Sequence, residues 1–309
     1  MNMKLTTLFA ALLIITTTAC SNNTSTPAAS QQPSPTVPTA QGSTTINTPQ
    51  STDQKPIPEK QTGAVPIPPI VDSKVPAAGK EPNASNEQAA APQTTTKLYK
   101  MNPKSYDIVP IDPATTDKKV VLLTFDDGPR NKEVLEGILN TLDKHKAKAI
   151  FFVNGYLVKQ KPELLKLIKE RGQTIGNHSW DHIDLKKEGK DKIDQQVEDV
   201  QKIVKELTGS APQFFRPPFG SGSDELRAKV KQENMLYMTW SNGSLDWEMS
   251  AKKNDPNKVI SNVMEQLRGG SNILMHELPW TEKALDSMLT QLEEKQYGFV
   301  DPELIEVNP

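Results

Sequence analysis

The sequence predicts an α/β protein folded as a distorted, incomplete (β/α) barrel of about seven strands. Three observations lead there. From about residue 103 onward, short apolar runs of strand length alternate with segments whose apolar residues recur at helical spacing. About seven such units occupy about 205 residues, fewer than the eight units and ~250 residues of a complete barrel. The unusual polar residues sit where the apolar runs end, and parallel α/β sheets do their chemistry at the C-terminal ends of their strands. An open doubly wound sheet is the alternative.

The chain opens MNMKLTTLFAALLIITTTAC. Lys4 makes a positive start, and Leu8 to Ile15 is an apolar stretch too short for a membrane span of roughly 20 residues. Residues 1–19 are expected to be an export signal. It ends at Cys20, the one cysteine in 309 residues. A lone Cys after small residues at that place resembles a bacterial lipoprotein box, in which the thiol is acylated. Thr17 stands where Leu is commonest in such boxes, and ordinary cleavage nearby is the alternative. Residues 20–102 are expected to be a tether. Ser, Thr, Pro, Ala, Gln and Asn dominate from Ser21 to Thr96 and no aromatic residue occurs there. Such a stretch cannot bury enough apolar surface to offset chain entropy. Fully extended it reaches on the order of 250 Å.

Residues 103–309 are the expected folded domain. Strands are predicted at Val120–Leu123, Ala149–Val153, Thr174–Gly176, Gln213–Phe215, Met235–Trp240, Asn272–Met275 and Gly298–Val300, with helices between them. Val134, Leu135, Ile138, Leu139 and Leu142 mark one helical face. Pro162 opens the next helix and Gly172 closes it. Ile193, Val197, Val200, Val204 and Leu207 form a third stripe, with Gly209 as its stop signal. Asp255-Pro256 reads as an N-cap followed by proline at the first helical position.

Charge narrows the function. Lys and Arg number 36 against 38 Asp and Glu, so the basic excess of a nucleic-acid binder is missing. A single cysteine excludes an intramolecular disulfide. The chemistry is concentrated in short clusters. TFDDGP ends the first strand with adjacent carboxylates, which repel each other and are costly to bury without compensation. A turn explains Asp-Gly-Pro but not the second Asp; a cation explains both. Three of the four histidines, His178, His182 and His276, lie at strand ends. The spacing of His178 and His182 puts two imidazoles on one face of a helical turn, where they can share a metal. With Asp127 they make a two-His, one-carboxylate set that leaves positions open for water and substrate, as catalytic zinc and iron centres require. His145, among lysines, reads as a surface residue.

TFDDGP, HSWDH, RPPFG, LDW and LMH occur in the order of the five motifs of the polysaccharide deacetylases, also called carbohydrate esterase family four or NodB-homology domains. The sequence resembles that family over nearly all of residues 119–305. The resemblance implies a distorted (β/α) barrel and a metal-dependent deacetylase. It implies that Asp127, His178 and His182 bind one divalent metal, usually zinc, with cobalt or another divalent ion as alternatives. Asp126 would be the general base, oriented by Arg216. His276 would be the general acid, paired with Asp246. A backbone N–H near Phe219 would hold the oxyanion, and Trp247 and Leu274 would line the acetyl pocket. Structural roles are the alternatives for Arg216, Asp246 and Trp247, and Trp180 and Trp280 are candidates for stacking on sugar rings. Three positions depart from the family pattern: Phe219 replaces Tyr, Gly243 replaces the first Asp of Asp-x-x-Asp-Trp, and Glu277 follows His276 where Asp, Ser or Thr is commoner.

Two functions follow. One is a lipid-anchored deacetylase on the outer face of the bacterial membrane, reaching into the wall and acting as a monomer. Its expected substrate is N-acetylglucosamine of peptidoglycan, ahead of N-acetylmuramic acid, poly-N-acetylglucosamine, chitin fragments and acetylxylan. The other is a non-catalytic wall-binding lipoprotein that keeps the fold.

Overall fold

A computed structural model describes residues 96–307. The expected export signal, Cys20 and the tether up to residue 95 lie outside the described residues. A hairpin of β1 (Tyr99–Met101) and β2 (Ile108–Pro110) comes first. The sheet then follows: β3 (Val120–Gly128), β4 (Ala149–Val153), β5 (Thr174–Asn177), β6 (Phe214–Phe215), β7 (Leu236–Tyr237), β8 (Asn242–Gly243), β9 (Ser271–His276) and β10 (Gly298–Phe299). The helices between them are α1 (Lys132–Lys144), α2 (Gly155–Gln160), α3 (Pro162–Glu170), α4 (Lys190–Thr208), α5 (Asp224–Gln232), α6 (Pro256–Glu265) and α7 (Pro279–Glu294). Local signals set their ends. The Asn131, Ser223 and Asp255 side chains accept N–H bonds from the first turns of α1, α5 and α6, and α4 stops at Gly209 with φ 82°.

All pairings in the sheet are parallel, in the order β7-β6-β5-β4-β3-β9-β8, with β10 beside the start of β3. The edges β7 and β8 are neighbours in sequence. Five residue steps separate Tyr237 from Asn242 and span at most roughly 18 Å. Seven strands laid flat would put the two edges roughly 29 Å apart. The sheet must therefore curl, and the predicted incomplete barrel is the result.

Alternation along β3 shows the two layers. Val121, Leu123 and Phe125 point outward and pack with Leu135, Ile138, Leu285 and Met288 of α1 and α7. Val120 and Leu122 point inward, with Ile150, Phe152, Phe214, Leu236 and Met238. Inward positions continue as Thr124 and Asp126, so along β3 the inner face turns polar toward its C-terminal end. No helix among the described residues is long and apolar enough to cross a membrane.

The sequence reading differs from the fold in three places. Tyr99–Met101 lies in the stretch expected as tether, yet Tyr99 and Met101 are buried in the inner core and Ile108 N–H donates to Gly270 O. The run Met235–Trp240 pairs only at Leu236 and Tyr237, because the chain then leaves one edge for the other. Asn242–Gly243 is a strand that its polar composition hides. If the hairpin belongs to the domain, Met101→Ala in the full chain lowers unfolding free energy by about 2–5 kcal/mol, read by urea denaturation. An unchanged midpoint would detach the hairpin from the core.

Candidate active site

The ends of β3, β5 and β9, with the loops after β6 and β8, meet at one cleft of about 400 Å³. Asp126, Asp127, His178, His182, Phe219, Trp247, Leu274 and His276 line it, together with Trp240. Arg216 and Asp246 are buried behind this lining, each bonded to one of its members.

Asp127, His178 and His182 bring one ligand atom each to within 4.8 Å of one another. Asp127 Oδ1 lies 3.1 Å from His182 Nε2 and 3.4 Å from His178 Nε2. The oxygen is buried and accepts no well-aligned hydrogen bond, which is the situation a cation relieves. His178 Nδ1 lies 2.7 Å from the Arg216 carbonyl, so Nδ1–H donates and Nε2 keeps its lone pair for the cluster. Burial alone would raise the Asp127 carboxyl. Contact with His178 and the charges of His178, His182 and His276 outweigh it and hold the carboxyl well below its usual range. Burial pushes His182 down, against the pull of Asp127. A carboxylate oxygen beside two imidazole nitrogens is the donor set a divalent cation takes, and these residues fit one.

The two histidines do not share a helical turn. His178 follows β5, and the chain reaches His182 through a loop in which Ser179 has φ 67° and His182 φ 55°. Asn177 Oδ1 accepts Ser179 N–H, and Ser179 Oγ accepts His182 N–H. These bonds hold the rings 5.0 Å apart between centroids.

Two charge pairs flank the cluster. Arg216 donates through Nη1 to Asp126 Oδ1 at 2.8 Å and to Thr124 Oγ1 at 2.7 Å. Through Nη2 it donates to Thr239 O and Asn272 Oδ1, and its guanidinium lies over the Phe152 ring. Burial lowers the guanidinium pKa, and Asp126 opposes it. On the other side, His276 Nδ1–H donates to Asp246 Oδ1 at 2.8 Å, and His276 N–H donates to Asp246 Oδ2 at 2.7 Å. Burial alone would lower the His276 imidazole. The bond and charge of Asp246, with the charges of Asp126 and Asp127, raise it instead.

Phe219 stands at the rim, 67% exposed, with φ 59° and its ring edge-on to His182. Trp247 is 39% exposed and edge-on to His276. The departure at Gly243 has a packing consequence: a Cβ there would come 3.1 Å from the Trp247 ring. Glu277 is buried, and burial pushes its carboxyl up to about 7 against the pull of Arg130.

Trp280 is not available for stacking, since it is buried and its Nε1–H donates to Asp246 O. Trp180 lies against Gly155 and is not among the cleft residues. Trp240 lines the cleft, edge-on to Trp247; as the end of a predicted strand it gave no sequence signal. Thr281, whose Oγ1–H donates to Asp246 Oδ2 at 2.7 Å, was likewise hidden inside a helix. His145 is not a surface residue: its ring sits between the Asp286 and Glu293 carboxylates.

Residues 114–238 match the family model described as polysaccharide deacetylase. The chain is 34% identical over 232 residues to the peptidoglycan-N-acetylglucosamine deacetylase PgdA of Listeria monocytogenes, an alignment covering 75% of this chain and 47% of that protein. The chain thus spans about half the length of that relative. It is 34% identical over 189 residues to a peptidoglycan-N-acetylglucosamine deacetylase of Bacillus cereus, covering 60% of this chain and 67% of the relative. Among solved structures, a CE4 family pseudoenzyme from Bacillus anthracis superposes with a TM-score of 0.57 at 32% identity, covering 62% of this chain and 68% of that one. With the curled parallel sheet and its five converging motifs, these similarities establish that the chain belongs to the polysaccharide deacetylase family.

Proposed function

We propose that this protein is a metal-dependent hydrolase that removes N-acetyl groups from cell-wall glycan, with N-acetylglucosamine of peptidoglycan as the sugar. The observation that carries the reading is the pairing of two opposite acid–base groups, Asp126 and His276, across one cleft from a ligand-ready Asp127–His178–His182 cluster. The similarity to peptidoglycan deacetylases supports the substrate class.

Asp127 Oδ1 and the Nε2 atoms of His178 and His182 would hold the divalent ion, zinc being the expected one. When bound, it polarises the acetyl carbonyl and acidifies water. Asp126 takes the proton of the water that adds to the acetyl carbon. Arg216 fixes Asp126 Oδ1 and leaves Oδ2 for that proton. Phe219 offers its backbone N–H to the developing oxyanion. The C–N bond then breaks, His276 Nε2–H protonates the departing amine, and acetate leaves. Asp246 sets the His276 tautomer and supports its charge. Trp247 and Leu274 enclose the acetyl methyl. The same reading takes Cys20 as lipid-anchored and the protein as exported, tethered in the wall and monomeric.

A second reading, a wall-binding protein without activity, draws on the likeness to the Bacillus anthracis pseudoenzyme. Acetate release separates the two. The zinc-loaded full chain should release acetate from N-acetylglucosamine oligomers or purified peptidoglycan, and Asp126→Asn should lose at least about 100-fold, the contribution expected of a general base. A folded, metal-bound protein that releases none would favour the binding reading.

The pH dependence has a defined sign. The raised His276 value keeps the imidazole protonated above its ordinary 6.5, and the acid form is lost as pH rises through the raised value. Asp246→Asn should therefore move the alkaline limb of kcat toward lower pH; an unmoved limb would remove Asp246 from this role. For the anchor, Cys20→Ala should shift the protein from the membrane fraction to the soluble fraction of fractionated cells. Continued membrane association would point to another means of attachment.

A further inference from the structure

Glu277 is a buried carboxyl that the proposed reaction leaves unused. It lies against the turn that follows the cluster residue Asp127. Its Oε2 accepts Arg130 N–H at 3.1 Å, and a Cβ on Gly128 would collide with its Oε1. Glycine at 128 leaves room for the carboxyl in this position beneath the turn.

The same turn contains a strained residue. Asp127 has φ 67°, a left-handed conformation that is unusual outside glycine and is kept only where the surroundings impose it. The surroundings here are specific. Arg130 Nε–H donates to Asp127 O at 2.6 Å, and Arg130 Nη2 lies 3.2 Å from Asp127 Oδ2. The guanidinium therefore grips the backbone and the outer carboxylate oxygen of one residue. Lys161 Nζ donates to Arg130 O and holds the turn from its outer side. The other carboxylate oxygen, Oδ1, is left turned toward His182 and His178.

We propose that Arg130 and Glu277 are positioning residues that hold Asp127 in its left-handed conformation with Oδ1 aimed at the two imidazoles. Arg130 acts on Asp127 directly, and Glu277 acts through the Arg130 backbone. The proposal rests on the reading of Asp127, His178 and His182 as metal ligands. It also accounts for glutamate at position 277, because a side chain of this length reaches under Gly128 to the Arg130 N–H.

The test is zinc affinity of the full chain, measured by competition with a chromophoric chelator, with circular dichroism checking the fold and the visible spectrum of the cobalt-substituted protein reporting ligand geometry. Groups that orient a metal ligand are commonly worth about 10–100-fold in affinity. Arg130→Ala is expected to weaken zinc binding by about that factor and to alter the cobalt spectrum. Glu277→Ala should weaken it in the same direction. Glu277→Gln keeps an oxygen for the Arg130 N–H and should bind as the wild type does. The Arg130 side chain is half exposed, so its truncation keeps the test readable if Glu277→Ala fails to fold. Arg130→Ala with wild-type affinity and an unchanged cobalt spectrum overturns the clamp while leaving the metal site standing. A wild-type chain that binds neither zinc nor cobalt overturns the metal reading and the clamp together.

Discussion

Arg216 is the side chain on which the rest of the site depends. A fully buried guanidinium is costly unless its donors are used, and four of its contacts reach different parts of the barrel. Thr124 and Asp126 belong to β3, Asn272 to β9, and Thr239 to the stretch joining the two sheet edges. One side chain thus ties the middle of the sheet to the seam where the barrel closes. Its own carbonyl fixes the His178 tautomer. Truncating the Arg216 side chain would leave Asp126 buried without its counter-charge, while the backbone carbonyl would still hold the ring that faces Asp127.

The site has two electrostatic poles. At one, a fixed cation serves a carboxylate; at the other, a fixed carboxylate serves an imidazole. Each partner is deeper than the group it serves, so the inner members are dry and rigid and the outer ones meet the cleft. Asp246 shows how complete this can be. Its carboxylate takes His276 N–H, His276 Nδ1–H and Thr281 Oγ1–H, and its carbonyl takes Trp280 Nε1–H. A carboxylate so fully engaged has little freedom to turn away from the imidazole.

Much of this was legible in the chain. The strand–helix alternation pointed to the barrel, and short polar clusters at strand ends marked the residues that line the cleft. Local signals did less well where tertiary contacts decide. The Asp126–Arg216 and Asp246–His276 contacts join residues 90 and 30 positions apart, and no periodicity reports such pairs; their roles came from family resemblance. The spacing of His178 and His182 suggested a helical turn, but two positive φ values produced the same proximity by another path. The β1–β2 hairpin is two three-residue strands beside a polar stretch, too short to stand out. Trp240 looked like any apolar strand residue because its orientation depends on the chain crossing between sheet edges.

That crossing has one more consequence. A sheet edge is a row of unpaired peptide groups onto which a foreign strand can add, and long edges invite association. Here each terminal strand, β7 and β8, is only two residues long, and a short stretch of chain bridges them. The curl that builds the cleft also leaves almost no template for an unrelated chain to extend. The geometry that gathers the polar residues thus doubles as protection against cross-chain β-pairing when many copies are packed into a small volume.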